Sequence, residues 1–165
     1  MTVQVPWKSS VCWRSLGMIY MHGGQPKLPE EHCKLPAKLA GLYWLHFVKK
    51  DYHYIGQTRR LRERLHEYRK PTQGTLQEYY IHQALIDNDG AELYVYVANV
   101  SDIKSLRNLE TNEIRSARTA KLNLLNRSES LQPYIKELAT EACKKLLKDW
   151  LKGKPFTDEE GDICK

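Results

Sequence analysis

The feature that most constrains this chain is a pair of aromatic-rich apolar runs separated by a short polar stretch. Residues 41–48 read Gly-Leu-Tyr-Trp-Leu-His-Phe-Val, residues 49–51 read Lys-Lys-Asp, and residues 52–56 read Tyr-His-Tyr-Ile-Gly. Aromatic and branched side chains favour strands, and two such runs joined by a few polar residues are typical of a β-hairpin. The sequence therefore predicts a hairpin, around which any sheet has to be built.

The spacing of apolar side chains predicts a helix directly after this hairpin. A helix over about residues 59–69, with Thr58 as its N-cap, would place Leu61, Leu65 and Tyr68 on one face. The same reasoning predicts a helix over about 75–88, a strand from Glu92 to Val100, a helix over about 103–120 capped by Ser101 or Asp102, and a last helix from Pro133 to Trp150.

This order of elements predicts a single α+β domain, in which a small antiparallel-containing β-sheet is flanked by helices. A chain of 165 residues is long enough to bury one hydrophobic core. We expect residues 1–36 to form an irregular N-terminal arm with one short strand near Met18–Met21. Residues 37–127 would form the core, and residues 128–165 a C-terminal helix and an acidic tail packed on the same domain.

The cellular context is predicted from what the sequence lacks. It has neither an apolar run long enough to span a membrane nor a secretory leader, so we expect a cytoplasmic protein without a membrane partner. The cysteines form no Cys-x-x-Cys pair and are expected to be free thiols: Cys12, Cys33, Cys143 and Cys164. A zinc site would need Cys12, His22, His32 and Cys33, whose spacing is not that of zinc ligands, and is disfavoured.

The basic charge is concentrated in two places. The chain has 26 Lys and Arg against 20 Asp and Glu, a net charge of +6, which by itself is weak evidence for a polyanionic partner. The first basic cluster is Arg59, Arg60, Arg62, Arg64, Arg69 and Lys70; the second is Arg115, Arg118 and Lys121. Each cluster either binds the phosphate backbone of a nucleic acid or is a solvated helix face. Trp7 and Trp13 either reach a groove or pack.

Two charged side chains lie on helical faces that are otherwise apolar. Arg64 shares a face with the apolar residues of the first predicted helix, and Glu110 lies four residues after Leu106 on the third. The complete stripe on that third helix is Ile103, Leu106, Glu110, Ile114 and Ala117. An unpaired carboxylate in such a place would sooner take up a proton than stay ionised, so a cation or hydrogen bonds must compensate Glu110.

Three interpretations account for these charges. Arg64 and Glu110 pair across a helix contact, or Glu110 tilts outward to Arg107. Alternatively, the carboxylate binds a divalent metal ion and the guanidinium binds a phosphate, because hard cations take oxygen ligands and the guanidinium fork matches phosphate oxygens.

The hairpin contributes two phenols, Tyr43 and Tyr54, which are eleven residues apart. Strand side chains alternate between faces, so a turn of two or four residues places both phenols on one face and a three-residue turn separates them. The spacing permits a shared site, although strand tyrosines are also common core residues.

The motifs Gly41-Leu42-Tyr43 and Tyr54-Ile55-Gly56, ten residues apart, are similar to the signature of the GIY-YIG nuclease superfamily. Arg64 stands eight positions after the second motif. On the predicted third helix Glu110 begins a Glu-x-x-x-Ile pattern, and Asn126 follows about fifteen residues later. The resemblance covers about residues 39–127, and it involves the same Arg64 and Glu110 that the helical periodicity identifies as misplaced.

This resemblance implies a metal-dependent DNA endonuclease. Glu110 would bind Mg²⁺ or Mn²⁺, Arg64 would hold the scissile phosphate, Tyr43 would be the general base for an attacking water, Tyr54 would share or support that role, and Asn126 would shape the metal side of the pocket. A phenol has an ordinary pKa near 10, and a nearby cation and guanidinium would favour its phenolate. His82 would hydrogen-bond the phenol or the leaving group, or simply lie at the surface.

The resemblance further implies double-stranded DNA as partner and a homodimer or higher homo-oligomer for double-strand cleavage. Without an appended DNA-binding module, the chain resembles restriction-type or phage members of the superfamily. Many members carry a histidine four positions after the arginine, where this chain has Tyr68. A catalytically silent nucleic-acid-binding module with the same fold is the alternative.

Overall fold

A computed structural model describes residues 3–69, 76–99 and 102–126 and has an α+β architecture built on an antiparallel sheet. The five strands have the spatial order β2-β1-β5-β3-β4, and each neighbouring pair is antiparallel. Their bounds are β1 Arg14–His22, β2 Gln25–Lys27, β3 Gly41–Phe47, β4 Tyr52–Thr58 and β5 Ala91–Val97. The helices are α1 Glu30–Cys33, α2 Leu61–Arg69, α3 Leu76–Asp87 and α4 Leu106–Thr119, with a 3₁₀ turn over Ile103–Ser105.

The predicted hairpin is confirmed as β3 and β4. Residues 48–51 form a four-residue turn between the strands, and Asp51 in this turn has a positive φ of 52°. Tyr43 is opposite Gly56 and Leu45 is opposite Tyr54. Because residues two apart along a strand share a face, this register puts both phenols on the same side of the sheet.

The predicted helices after the hairpin are also confirmed. The α2 helix begins at Leu61, two residues later than predicted, and Thr58 is not its N-cap: the Thr58 hydroxyl accepts from the N–H of Arg60, just before the helix, over 3.0 Å. The α3 helix ends at Asp87, and the N–H of Gly90 closes its last turn on the Leu85 carbonyl over 2.8 Å. The strand that follows is shorter than predicted and ends at Val97.

The strand expected near Met18–Met21 is present, but the expectation that the rest of residues 1–36 is irregular is wrong. The strand is the nine-residue β1, which pairs with β5 inside the sheet, and β2 pairs with β1. Its buried residues, Leu16 and Ile19, are three apart because the register with β5 shifts between Ser15 and Gly17. A bulge of this kind breaks the two-residue alternation on which a prediction of strands depends.

The sheet is covered on both faces, and the two covers differ. One face, with Tyr43 and Tyr54, packs in a hydrophobic cluster with α2 and α3. The other face packs with α4 and with the N-terminal residues, and its cluster includes Leu42, Trp44, Ile55, Leu106, Ala117, Trp7 and Trp13. Trp7 and Trp13 meet Trp44 edge to face, with ring centroids 4.8 and 6.0 Å from it. The two N-terminal indoles therefore pack in the core and are not a groove-binding pair.

The buried acid of α4 is not the one that the periodicity identifies. The buried residues of this helix are Leu106, Glu113 and Ala117, whereas Glu110 is half-buried at the side of that face. Glu113 is 1% exposed. Its carboxylate accepts hydrogen bonds from the Trp7 indole, the Ser9 hydroxyl, and the backbone N–H and hydroxyl of Ser10, over 2.6–2.9 Å. The compensation predicted for Glu110 is thus supplied to Glu113 by the N-terminal residues.

The last predicted helix, from Pro133 to Trp150, and the tail lie outside the described residues. Among residues 3–69, 76–99 and 102–126, no helix combines the length and the hydrophobicity needed to cross a membrane. Cys12 and Cys33 are exposed free thiols, as predicted, and Cys143 and Cys164 lie outside the described part.

Replacing Glu113 with alanine should destabilise the protein by about 3 kcal/mol, because the buried Trp7 indole N–H loses its acceptor and the hydroxyls and N–H of Ser9 and Ser10 lose theirs. Urea unfolding measures the difference. The matched control is Asn112→Ala, an exposed position on the same helix. Equal unfolding midpoints for the two variants would show that the carboxylate does not hold the N-terminal residues.

Candidate active site

Three phenols from three elements meet on one face of the sheet. The hydroxyls of Tyr43 on β3 and Tyr68 on α2 are 2.5 Å apart, and the rings of Tyr43 and Tyr54 have centroids 6.0 Å apart. Tyr43 is only 1% exposed. The structure therefore joins Tyr43 and Tyr54, as the hairpin spacing permits, and adds Tyr68 to them.

Steric contacts explain why both motifs contain a glycine. The ring of Tyr43 lies directly over Gly56, so a Cβ at this position would overlap the ring and its hydroxyl. A Cβ at Gly41 would overlap the backbone carbonyl of Tyr96 and lie 2.8 Å from Cδ1 of Leu61. Both positions accept only a hydrogen atom in place of a side chain, because backbone and ring approach too closely.

Burial raises the pKa of the Tyr43 phenol well above its usual range, and the neighbouring Tyr54 and Tyr68 raise it further. Arg64 acts in the opposite direction, but it is outweighed. The expectation that the guanidinium favours the phenolate is therefore right in sign but too small to prevail in the protein alone. The pKa of Tyr54 is raised as well, first by burial and then by Tyr68 and Glu110.

Arg64 lies beside these phenols and is paired with an acid on its own helix. Its Nη1 donates to Oε2 of Glu67 over 2.9 Å. Burial lowers the pKa of the guanidinium, but Tyr43, Tyr68 and Glu67 together outweigh it, so the pKa is raised from its usual value. The arginine that the helical pattern places among apolar residues is thus half-buried at the edge of the phenol cluster.

Glu110 is close enough to the same cluster to act on it electrostatically, since its charge raises the pKa of Tyr54. Its carboxylate is half-buried and so is not sealed away from solvent. The four residues of the proposed set come from β3, β4, α2 and α4, and the fold brings them to one region. Spacing in the sequence suggests this grouping, but only the packing of α2 and α4 on the hairpin produces it.

A depression of about 290 Å³ opens next to this region. It is lined by Thr58, Arg59, Arg60, Glu63, Arg64 and Glu67. Three guanidinium groups and two carboxylates make it a mixed-charge surface with a basic excess. Guanidinium groups are suited to phosphate oxygens, so the depression is a candidate phosphate-binding surface.

The remaining predicted catalytic residues make backbone contacts. Nδ1 of His82 lies 3.0 Å from the Tyr68 carbonyl oxygen. Since a carbonyl oxygen can only accept, Nδ1 is the donor of this hydrogen bond. The Asn126 amide accepts from the Ile55 N–H over 3.0 Å and donates to the Ile55 carbonyl over 2.6 Å. We therefore interpret Asn126 as a residue that holds β4, and its predicted place beside a metal is not supported by these contacts.

The residues predicted to contact DNA lie on two helices or beside them. All those that the structure describes are exposed: Arg59, Arg60, Arg62, Arg69, Arg115 and Arg118. Lys70 lies outside the described residues. Arg60 pairs with Glu63 over 3.0 Å, which is the arrangement of a solvated helix face. For the other exposed arginines, contact with the phosphate backbone of DNA remains a prediction.

One group of possible metal ligands lies elsewhere, at the hairpin turn. Among the described residues, His46, Asp51 and His53 are the group whose ligand atoms all lie within 4.8 Å of one another. The Trp44 indole donates to Nδ1 of His53 over 3.0 Å, so the neutral ring carries its proton on Nε2, the atom that faces Asp51. A protonated nitrogen cannot bind a metal, so this arrangement disfavours an ion there.

The two histidines have different surroundings. Nδ1 of His46 lies 2.9 Å from Glu92 and its Nε2 lies 2.9 Å from Asp51. The rings of His46 and His53 stack with centroids 4.3 Å apart. Burial and the adjacent His46 lower the pKa of His53 to about 4. His53 is thereby a neutral core residue.

Comparison of the sequence with protein-family models, with curated proteins and with solved structures finds no match.

Two residues of the site are missed by the sequence. Tyr68 is predicted as an apolar-face residue at the position where many members of the resembled superfamily carry a histidine, and periodicity cannot indicate that its hydroxyl meets Tyr43. Glu67 is predicted only as part of a charged helix face. Its spacing of three from Arg64 is a signal for a pair within the helix, but this signal does not show that the pair borders the phenols.

Replacing Gly56 with alanine should displace the Tyr43 ring and cost roughly 2 kcal/mol, as overpacking in a dense core does. Urea unfolding measures the cost, and near-ultraviolet circular dichroism reports the ring. In a Tyr43→Ala background the same glycine substitution should cost much less. Equal costs in both backgrounds would exclude the ring as the reason for the glycine.

Acid should destabilise the protein through His53. Its pKa is about 4 in the folded protein and near 6.5 when unfolded, so the stability it contributes is complete above pH 6.5 and is lost as the pH falls toward 4. The loss should approach about 3 kcal/mol. Urea unfolding across this range should show a weaker pH dependence for His53→Asn, which keeps an acceptor for Trp44. Identical pH profiles would contradict the assignment.

Proposed function

We propose that the protein is a metal-dependent DNA endonuclease of the GIY-YIG type, which hydrolyses phosphodiester bonds by tyrosine-assisted attack of water. The observation that carries this proposal is the grouping of Tyr43, Tyr54, Arg64 and Glu110. They lie on separate elements. Tyr43, Arg64 and Glu110 act electrostatically on the phenol cluster, and Arg64 also lines a depression that is rich in arginine. Restriction-type or phage DNA cleavage is the setting that we infer.

Arg64 would hold the scissile phosphate. It lies in the wall of the depression, and it already interacts with the phenols on its inner side. A planar guanidinium can engage two phosphate oxygens at once and offset the charge that develops on them. Arg59 and Arg60 in the same wall would contact neighbouring phosphates of the strand.

Glu110 would bind the metal ion. Mg²⁺ and Mn²⁺ are hard cations, and Mg²⁺ is commonly held by one or two carboxylates together with water and substrate phosphate. A half-buried carboxylate beside the phenols fits this requirement. When bound, the ion would supply positive charge that stabilises the leaving oxygen.

Tyr43 would accept a proton from the attacking water, with Tyr54 assisting. The raised pKa of Tyr43 makes the phenolate rare in the protein alone, so this step depends on positive charge near the phenol. Tyr68 would hold the Tyr43 hydroxyl in position, since the two oxygens are 2.5 Å apart. Double-strand cleavage with one site in each chain would require a homodimer or a higher homo-oligomer.

A catalytically silent nucleic-acid-binding module is the second candidate. It is favoured by the deep burial of Tyr43 and the raised pKa of its phenol, which both oppose proton transfer at neutral pH. The two candidates share the basic surface and differ only in chemistry. Binding without cleavage would select this one.

Supercoiled plasmid incubated with the protein and Mg²⁺ or Mn²⁺ should be nicked or linearised, and Glu110→Ala should abolish cleavage while binding remains. Gel electrophoresis detects the products, and affinity for a DNA duplex should fall steeply with salt. Asn112→Ala, exposed on the same helix, serves as the control and should cut as the unaltered protein does.

Plasmid that stays intact with both ions, or a Glu110→Ala variant that cuts normally, would refute the endonuclease. Thermal unfolding adds a separate check, since a ligand carboxylate can be lost with little change in stability. If Glu110 instead formed a structural ion pair, its replacement would lower the free energy of unfolding by several kcal/mol.

A further inference from the structure

The wall of the depression contains two ion pairs of identical spacing but different environment. Arg60 pairs with Glu63 over 3.0 Å, and one turn later Arg64 pairs with Glu67 over 2.9 Å. In the first pair the side chains are 69% and 54% exposed, whereas in the second they are 21% and 29% exposed. Water screens the first pair strongly and the second much less.

The less exposed pair is also the one at the proposed reaction centre. Arg64 interacts electrostatically with Tyr43 and Tyr68, and both Arg64 and Glu67 line the depression. A phosphate oxygen that approaches this guanidinium from the depression meets a carboxylate already bound to Nη1. The two anions compete for the same cation and repel each other.

We propose that Glu67 controls phosphate binding by holding Arg64 in the free protein, so that a phosphodiester has to compete with this carboxylate for the guanidinium. This inference rests on the proposed function of the site. Glu67 then lowers the affinity for phosphate when no other cation is present. A divalent cation offsets the repulsion between the carboxylate and the phosphate, so the pair makes phosphate binding depend on the ion.

Linkage gives this competition a measurable form. If a divalent ion strengthens phosphate binding by a given factor, phosphate strengthens binding of that ion by the same factor. Removing the charge of Glu67 should reduce that factor, because the repulsion that the ion offsets is gone. The exposed Glu63 should contribute little, since solvent already screens it.

The test compares Glu67→Gln with the matched control Glu63→Gln. Both acids lie on α2, each is three residues after its paired arginine, and each is replaced by the same amide. Fluorescence anisotropy with a labelled DNA duplex in EDTA should show Glu67→Gln binding about tenfold more tightly than the unaltered protein. Glu63→Gln should change the affinity less than about twofold. Adding Ca²⁺ as the probe ion should shrink the advantage of Glu67→Gln. Thermal unfolding checks that both variants are folded.

Weaker binding by Glu67→Gln would overturn the proposal, because it would mean that Glu67 orients Arg64 for phosphate. Equal effects of the two substitutions would overturn it too. If no variant binds the duplex, titration with inorganic phosphate followed by phosphorus NMR separates the two ideas. If Glu67→Gln then binds phosphate more tightly and Glu63→Gln does not, the competition between Glu67 and phosphate is supported and the DNA function fails. If neither variant differs from the unaltered protein, the competition is refuted.

Discussion

The arrangement of the site depends on the contact between the Tyr43 ring and the backbone at Gly56. Two strands of the hairpin pair at this point, and the absence of a side chain on one allows the ring of the other to lie over it. The ring is thereby held at a fixed height above the sheet, where Tyr68 from α2 reaches its hydroxyl. The position of α2, and with it Arg64, follows from this packing.

The opposite face of the sheet is fixed by polar contacts as well as apolar ones. Glu113 on α4 is bound by Trp7, Ser9 and Ser10, so the N-terminal residues and the helix are joined at a buried carboxylate. The same helix carries Glu110 one turn earlier. A residue with no place in the proposed chemistry thus determines where the proposed metal ligand stands.

Much of the fold follows from local pattern, and the parts that do not have identifiable causes. The hairpin is predicted from its aromatic content and α2 from the helical spacing of its apolar residues. The β1 strand is missed because a bulge changes the spacing of its buried residues. Glu113 is missed because an acid with polar partners from a distant segment cannot be told from a surface acid by periodicity. In the candidate site, Tyr43, Arg64 and Glu110 can be chosen from sequence, whereas Glu67 and its competition with phosphate need the tertiary contacts.

The outer edge of the sheet has a consequence for self-association. At the free side of β4 the backbone of His53 bonds to Asn123 and Leu125, and the backbone of Ile55 is occupied by the Asn126 amide. These groups are the ones that an incoming strand would need. A second copy of the chain therefore cannot extend the sheet across this stretch of β4, and a pair that joined its sheets edge to edge would have to use the opposite edge, at β2 and β1.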